Sequence, residues 1–206
     1  CIRDRAHFDQ EWYTRFYGTP PAEQFRIIIG FTNGPCNYGP SRKLTGQPKE
    51  VFAIMNYAVD DNERPIFYKK VVETVVHEFC HSFTKIKGDT EKALEKSGKA
   101  LQEYTYFSMR RQAYSTWRNI LEESLVRAAT ICYLIDHNYD EKDIRNAIIE
   151  QVDRNFFWMP ELVQTLRYYE SHRKKYPTFT SFYPEIIRFF DRYVADVEKE
   201  IQKALK

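Results

Sequence analysis

Apolar residues change their spacing about a third of the way along the chain. Phe25–Thr32 (FRIIIGFT) and Val51–Val59 (VFAIMNYAV) are short runs of β-branched and aromatic side chains, the pattern of strands. Between them, Asn33-Gly34-Pro35-Cys36-Asn37-Tyr38-Gly39-Pro40 reads as a turn-rich loop, because glycine admits positive φ and proline cannot continue a ladder. From Pro65 onward the period is helical. Val72, Val75, Val76, Phe79 and Phe83 recur at three- and four-residue steps, and Gly88 supplies a stop. A second helix is expected over Glu91–Tyr106, with few apolar positions and therefore an exposed setting. A third, over Thr116–Ile135, carries Trp117, Leu121, Leu125, Ala128, Cys132 and Ile135 on one face. Asp140 precedes a fourth (Ile144, Ala147, Ile148, Val152), Pro160 sits in the first turn of a fifth, and Pro184 opens the last. The expected fold class is α+β: one domain over residues 1–206, mainly helical, with a small N-terminal sheet.

Composition narrows the classes. At 206 residues the chain is long enough for a real core. Its 31 basic and 29 acidic residues nearly cancel to +2, so no broad basic face is forced and nucleic acid is not the expected partner. The longest apolar stretches, Ile27–Phe31 and Ala128–Ile135, are too short to span a bilayer. Cys1, Cys36, Cys80 and Cys132 are widely spaced with no C-x-x-C pair, which indicates neither a ribbon-type zinc site nor a dense disulfide framework. The chain opens at Cys1 and not at a methionine; this fits a leader removed or omitted, with a lipid-bearing cysteine as the alternative.

The informative motif is His77-Glu78-Phe79-Cys80-His81, an H-E-x-x-H inside the expected helix. Four residues advance a helix by one turn plus about 40°, so both imidazoles can reach one metal ion. Glu78 is rotated about 100° from His77, which sets its carboxylate beside the metal as a general base. Zinc is the expected cofactor for such a pair. Cys80 faces the opposite side and is expected in the core.

The third ligand separates three classes. H-E-x-x-H-x-x-G-x-x-H requires glycine and histidine where this chain has Thr84 and Lys87, so that class is excluded. A second class draws a glutamate from a later helix. Here Glu123, within Ile120-Leu121-Glu122-Glu123-Ser124-Leu125-Val126-Arg127, is the candidate and Glu122 the reserve. Thermolysin-like enzymes set that glutamate in Asn-Glu-x-x-x-Asp/Glu. In this chain Glu122 replaces the asparagine and Arg127 the acidic residue, and Arg127, one turn on, can instead fix the Glu123 carboxylate. The third class, peptide deformylase, uses an upstream cysteine. Cys36 lies 41 residues before His77, but Gly34-Pro35-Cys36-Asn37-Tyr38 lacks that family's context and 125 residues follow His81.

Three stretches carry a wider resemblance: Asn37-Tyr38-Gly39-Pro40-Ser41; Val76–Phe83 together with Glu123–Ala128; and Tyr176-Pro177-Thr178-Phe179 with Phe182-Tyr183-Pro184. On these the chain resembles a family of bacterial zincin-like proteins without established substrate, often secreted or lipid-anchored. The resemblance implies a zincin-like fold, a gluzincin-type metal site and an extracellular or cell-envelope location. Members look longer at the N-terminus, which implies that this is a C-terminal, metal-bearing portion.

The expected function is a zinc-dependent hydrolase, a metallopeptidase acting on a peptide or protein, with His77, His81 and Glu123 on the metal and Glu78 as base and then acid. The Val51–Val59 strand is expected to offer a sheet edge to an extended peptide. Two alternatives stay open: an inactive metal-containing binding domain at the cell surface, and a deformylase-like metal amidase. Tyr38, Tyr104, Tyr183 and His172 are all candidates for the oxyanion donor. Phe156, Phe157, Trp158, Tyr168, Tyr169, Phe179, Phe182 and Tyr183 are expected to pack the core, and Arg173-Lys174-Lys175 to be solvated.

Overall fold

The computed structural model describes residues 8–18, 23–30, 34, 36–56, 58–62, 64–66 and 70–206. Cys1, Phe31–Asn33, Pro35 and Tyr57, parts of the expected strands and loop, lie outside the described residues. The class is α+β as expected, mainly helical with a small mixed sheet near the N-terminus. By contacts the chain divides into two compact units, residues 1–84 and 85–206.

The first unit opens with a helix where the sequence suggested strand and loop. α1 (Gln10–Tyr17) is capped by Asp9, whose side chain accepts from Trp12 N at 3.1 Å, and it ends at Gly18 with φ 67°. Trp12, Tyr13, Phe16 and Tyr17 form its buried face. The eight-residue helix escaped notice because Gly18, Pro20 and Pro21 follow directly, and breakers dominate a short window.

β1 (Glu23–Ile29), β2 (Ser41–Arg42) and β3 (Lys49–Met55) form a sheet of order β1-β3-β2. β1 runs parallel to β3 from Glu23↔Lys49 to Ile29↔Met55, and β2 runs antiparallel on the other side. Tyr38 extends that side through two reciprocal backbone hydrogen bonds with Ile54, at 3.0 and 2.9 Å. β3 is therefore the central strand. The expectation that it offers a free edge to a peptide is corrected: β1 pairs along Lys49–Met55, and the other flank is paired within Glu50–Ile54. The expected strand also stops short, and Ala58–Val59 form β4, paired with β5 (Pro65–Ile66) in a separate ribbon.

α2 (Lys70–Cys80) packs against β3. Aromatic side chains fill the space on either side of it. Phe79 lies 5.0 Å from Phe25, ring centre to centre, and Phe83 stacks on Tyr13 and Tyr17 at 5.3 and 5.0 Å.

The second unit is all helix: α3 (Asp89–Tyr104), α4 (Tyr106–Arg111), α5 (Trp117–Asp136), α6 (Glu141–Asp153), α7 (Met159–Ser171) and α8 (Phe179–Ala204). α5 is buried nearly all round and packs against α3, α6 and α7. α3 is not exposed as expected. Leu94, Ser97, Gly98 and Leu101 bury one face of it against α5 and α8. A Cβ on Gly98 would come within 2.5 Å of the Trp117 ring, so small residues mark this contact where an apolar count found little.

Pro184 does not open the last helix. Thr178 and Ser181 form a reciprocal capping box that starts α8 at Phe179, and Pro184 falls inside it. Of the expected aromatic core, Phe156, Trp158, Tyr169, Phe179, Phe182 and Tyr183 are buried, whereas Phe157 and Tyr168 are exposed. In the basic run Lys174 and Lys175 are solvated. Arg173 instead folds back, with its guanidinium 4.4 Å from the Tyr169 ring centre and a bond to Pro177 O at 2.7 Å. Among the described residues no helix is long and apolar enough to cross a membrane.

One partly exposed charge cluster makes a prediction. Arg167 Nη1 serves two carboxylates, Asp136 Oδ1 at 2.5 Å and Glu170 Oε2 at 2.6 Å. Burial, then the neighbouring Asp136, pushes the Glu170 carboxyl up to about 8 against the weaker pull of Arg167. The folded chain thus keeps a proton that the unfolded chain has already released by about pH 5. The associated stability is complete below that pH and is lost as pH rises through about 8. Glu170 keeps some solvent contact, so the loss by pH 9 is expected on the order of 2 kcal/mol. Denaturant unfolding across this range should show the slope, and Glu170→Gln should flatten it.

Candidate metal centre

His77 and His81 lie at the C-terminal end of α2, the second just past its last residue. Side chains around the helix fix its position within the first unit. Tyr13 donates to Val76 O at 3.2 Å, Lys49 Nζ donates to Ser82 O at 2.9 Å, and the Tyr17 hydroxyl meets Thr84 Oγ1 at 3.1 Å. The Asn37–Ser41 loop docks on the same turn. Asn37 Oδ1 accepts from Asn56 N at 2.8 Å, and Phe52 N donates to Pro40 O at 2.9 Å. Gly39 is obligatory there, because a Cβ would stand 1.9 Å from the Glu78 carbonyl oxygen and 3.0 Å from His81 Cβ. The loop thus braces the motif helix from the outside.

The two imidazoles converge. Their Nε2 atoms are 3.2 Å apart, with ring planes at 82°. Two nitrogens at about 2.0–2.1 Å from one tetrahedral ion would be separated by roughly 3.3 Å, so the spacing fits two ligands of a single metal. Glu78, 6% exposed, is buried on the same helix. Cys80 is fully buried beside Tyr17, as expected of a core residue; burial first, then this thiol, holds the Tyr17 hydroxyl well above its ordinary pKa.

Glu123 sits midway along α5, in a polar pocket of the helical unit. Arg127, one turn later, pairs with its Oε1 at 2.8 Å, and both side chains are nearly buried. Arg127 also donates to Tyr114 Oη at 3.0 Å and to Gln151, and its guanidinium lies 5.0 Å from the Phe156 ring centre. Burial opposes the Arg127 charge, but Glu123 and Tyr114 outweigh it and keep the guanidinium protonated. Burial, then Glu123, pushes Tyr114 up to about 12, so its hydroxyl keeps a proton to share with Glu123. A carboxylate has two oxygens and about four acceptor directions, so pairing at Oε1 does not exhaust Glu123 as a ligand.

The choice between the adjacent glutamates follows from their contacts. Glu122 accepts from Ile86 N at 2.9 Å and lies 3.8 Å from Lys85 Nζ, so it anchors the start of the second unit. Tyr183 donates to Lys85 O at 3.0 Å and clamps the same residues. Among the described residues, one group of three potential metal-ligating side chains gathers its donor atoms within 4.8 Å: His77, His81 and Glu123. Two imidazoles and a carboxylate are a donor set that can hold a divalent metal ion. Cys36 is exposed and is not part of that group.

The oxyanion candidates fare less well. Tyr183 is engaged with Lys85, His172 Nδ1 lies 2.9 Å from Tyr168 O, and Tyr38 and Tyr104 are about half exposed. Sequence reasoning missed Tyr114 and Gln151. Tyr114 follows a turn in which Ala113 adopts φ 66°, and no periodicity marks such a residue.

Residues 5–189 match the family model described as Domain of unknown function (DUF4932). The chain belongs to that family. The match takes in His77, His81, Glu123, Arg127 and Tyr114, so the whole candidate centre lies within the DUF4932 region. No match is found among curated proteins or among solved structures.

Proposed function

We propose that this DUF4932 chain is a zinc-dependent hydrolase of zincin-like type, acting on peptide bonds. The observation that carries the reading is the 3.2 Å convergence of His77 and His81 Nε2 one helical turn apart, with a buried Glu78 between them. His77, His81 and Glu123 would hold the metal. Zinc in such a site acts as a Lewis acid on a substrate carbonyl and on an attacking water.

The protein's own groups do the rest. Glu78 takes the proton of the attacking water and later returns it to the leaving amine, a two-way role that a buried carboxylate outside the ligand set can fill. Arg127, itself held by Tyr114, orients the Glu123 carboxylate. The Asn37–Ser41 loop, with Gly39 against the Glu78 carbonyl, keeps the motif turn from shifting. The extracellular or cell-envelope setting implied by the sequence resemblance belongs to the same proposal.

One observation favours a second reading, a metal-containing binding domain without catalysis: the Arg127 ion pair already occupies one oxygen of Glu123. A peptide-library cleavage screen with the zinc-loaded chain separates the two. The hydrolase reading expects cleavage that a chelator abolishes and added zinc restores. Absence of cleavage from a stoichiometrically loaded chain would contradict it.

A further inference from the structure

The helical unit holds a recess of about 250 Å³ lined by Gln102 of α3, Tyr106 and Arg110 of α4, and Tyr114 and Ser115 of the following turn. Gln102 Nε2 donates to Ser115 O at 2.9 Å and ties the two rims together. Arg110 donates to the Tyr106 hydroxyl, and its guanidinium lies 5.7 Å from that ring's centre. Among the described residues Arg110 pairs with no carboxylate. Arg118, Arg127, Arg145, Arg154, Arg167 and Arg188 of this unit do, whereas Arg111 and Arg192, like Arg110, show no such pair among the described residues and do not line the recess.

We propose that this recess binds a carboxylate carried on an amino-acid-sized apolar or aromatic body. A guanidinium presents a planar fork that matches a carboxylate, and here it stands over the Tyr106 ring, while Tyr114 also lines the space. Only one cation lines the space; Arg111, the next residue, is not part of the lining, so a single negative charge fits better than a phosphate dianion. The volume falls below the roughly 300–1,000 Å³ of sites for larger organic ligands, and suits one amino-acid residue.

Tyr114 connects the recess to the candidate centre. Its ring lines the recess while its hydroxyl accepts from Arg127, the partner of Glu123. Ala113, just before it, holds φ 66°, a conformation that alanine keeps only where the surroundings impose it. Resting on the peptidase reading, the ligand would be the free C-terminal residue of a peptide, and Arg110 a specificity-determining residue for it.

The direct test is calorimetric titration of the chelator-treated chain with N-acetylphenylalanine, its amide and phenyl phosphate, repeated on Arg110→Gln. Arg110 is exposed, so the variant should fold. The proposal expects the acid to bind, the amide to bind at least tenfold more weakly, the phosphate to bind no tighter than the acid, and the variant to lose at least tenfold. Equal binding of acid and amide, tighter phosphate binding, unchanged affinity in Arg110→Gln, or no binding at all would overturn it. Because the titration is metal-free, it stands apart from the hydrolase reading. In the loaded chain, Arg110→Gln should raise KM for peptides with a free C-terminus and not for amidated ones; an unchanged KM would overturn the substrate role.

Discussion

Glu78→Gln is expected to lower peptide hydrolysis by about 10²–10⁴-fold while the protein keeps its full complement of metal. Glutamine is nearly isosteric with glutamate, and Glu78 is rotated about 100° around the helix from His77, so the ligand set remains intact. What disappears is the only function that distinguishes the two side chains in that place, the ability to take a proton. The measurement is a rate on any peptide found to be cleaved, paired with the metal content of the same sample. A drop in rate accompanied by loss of metal would reassign Glu78 from proton transfer to metal binding. No drop at all would remove it from the chemistry.

Arg127→Met should destabilise the metal-free protein by about 3–5 kcal/mol, because it removes the guanidinium paired with the nearly buried Glu123 carboxylate. Tyr114 can still donate, but one neutral hydroxyl replaces little of a charge-assisted pair. Two further outcomes identify the cause. Zinc should restore much of the loss, since a bound cation faces the same carboxylate. The double variant Arg127→Met with Glu123→Gln should be markedly more stable than the sum of the single effects, as expected for coupled neighbours. Denaturant unfolding with and without metal measures all of these. Additive effects, or no response to zinc, would separate Glu123 from the metal.

How much of this was legible in the sequence depended on whether the signal was periodic. The convergence of the two imidazoles was legible, because the spacing of His77 and His81 fixes their geometry once a helix is granted. Glu123 was legible as a residue type on a later helix, and its separation from Glu122 was not. Two adjacent helix positions point in different directions, and only the fold shows that Glu122 bonds Ile86 N while Glu123 meets Arg127. Arg127 departs from the thermolysin-like pattern, and the pairing with Glu123 that its one-turn spacing suggested is present at 2.8 Å.

The misread elements share a cause. α3 was judged exposed because its contacts are made by Ser97 and Gly98, residues that count as polar or as breakers yet allow a close approach to Trp117. The start of α8 was placed at Pro184 because proline is the louder signal, although the Thr178–Ser181 capping box had already begun the helix. The Val51–Val59 run was read as offering an edge, although its apolar composition suits a central strand. The pairing of Tyr38, Ser41 and Arg42 along its second flank is a non-local fact that no window contains.

The central claim is that His77 and His81 hold one metal ion, and elemental analysis of the zinc-reconstituted, dialysed chain beside His81→Ala tests it most directly. About one zinc per chain in the wild type and essentially none in the variant is the predicted result. A wild type that remains well below one equivalent, or a variant that retains the ion undiminished, would contradict it.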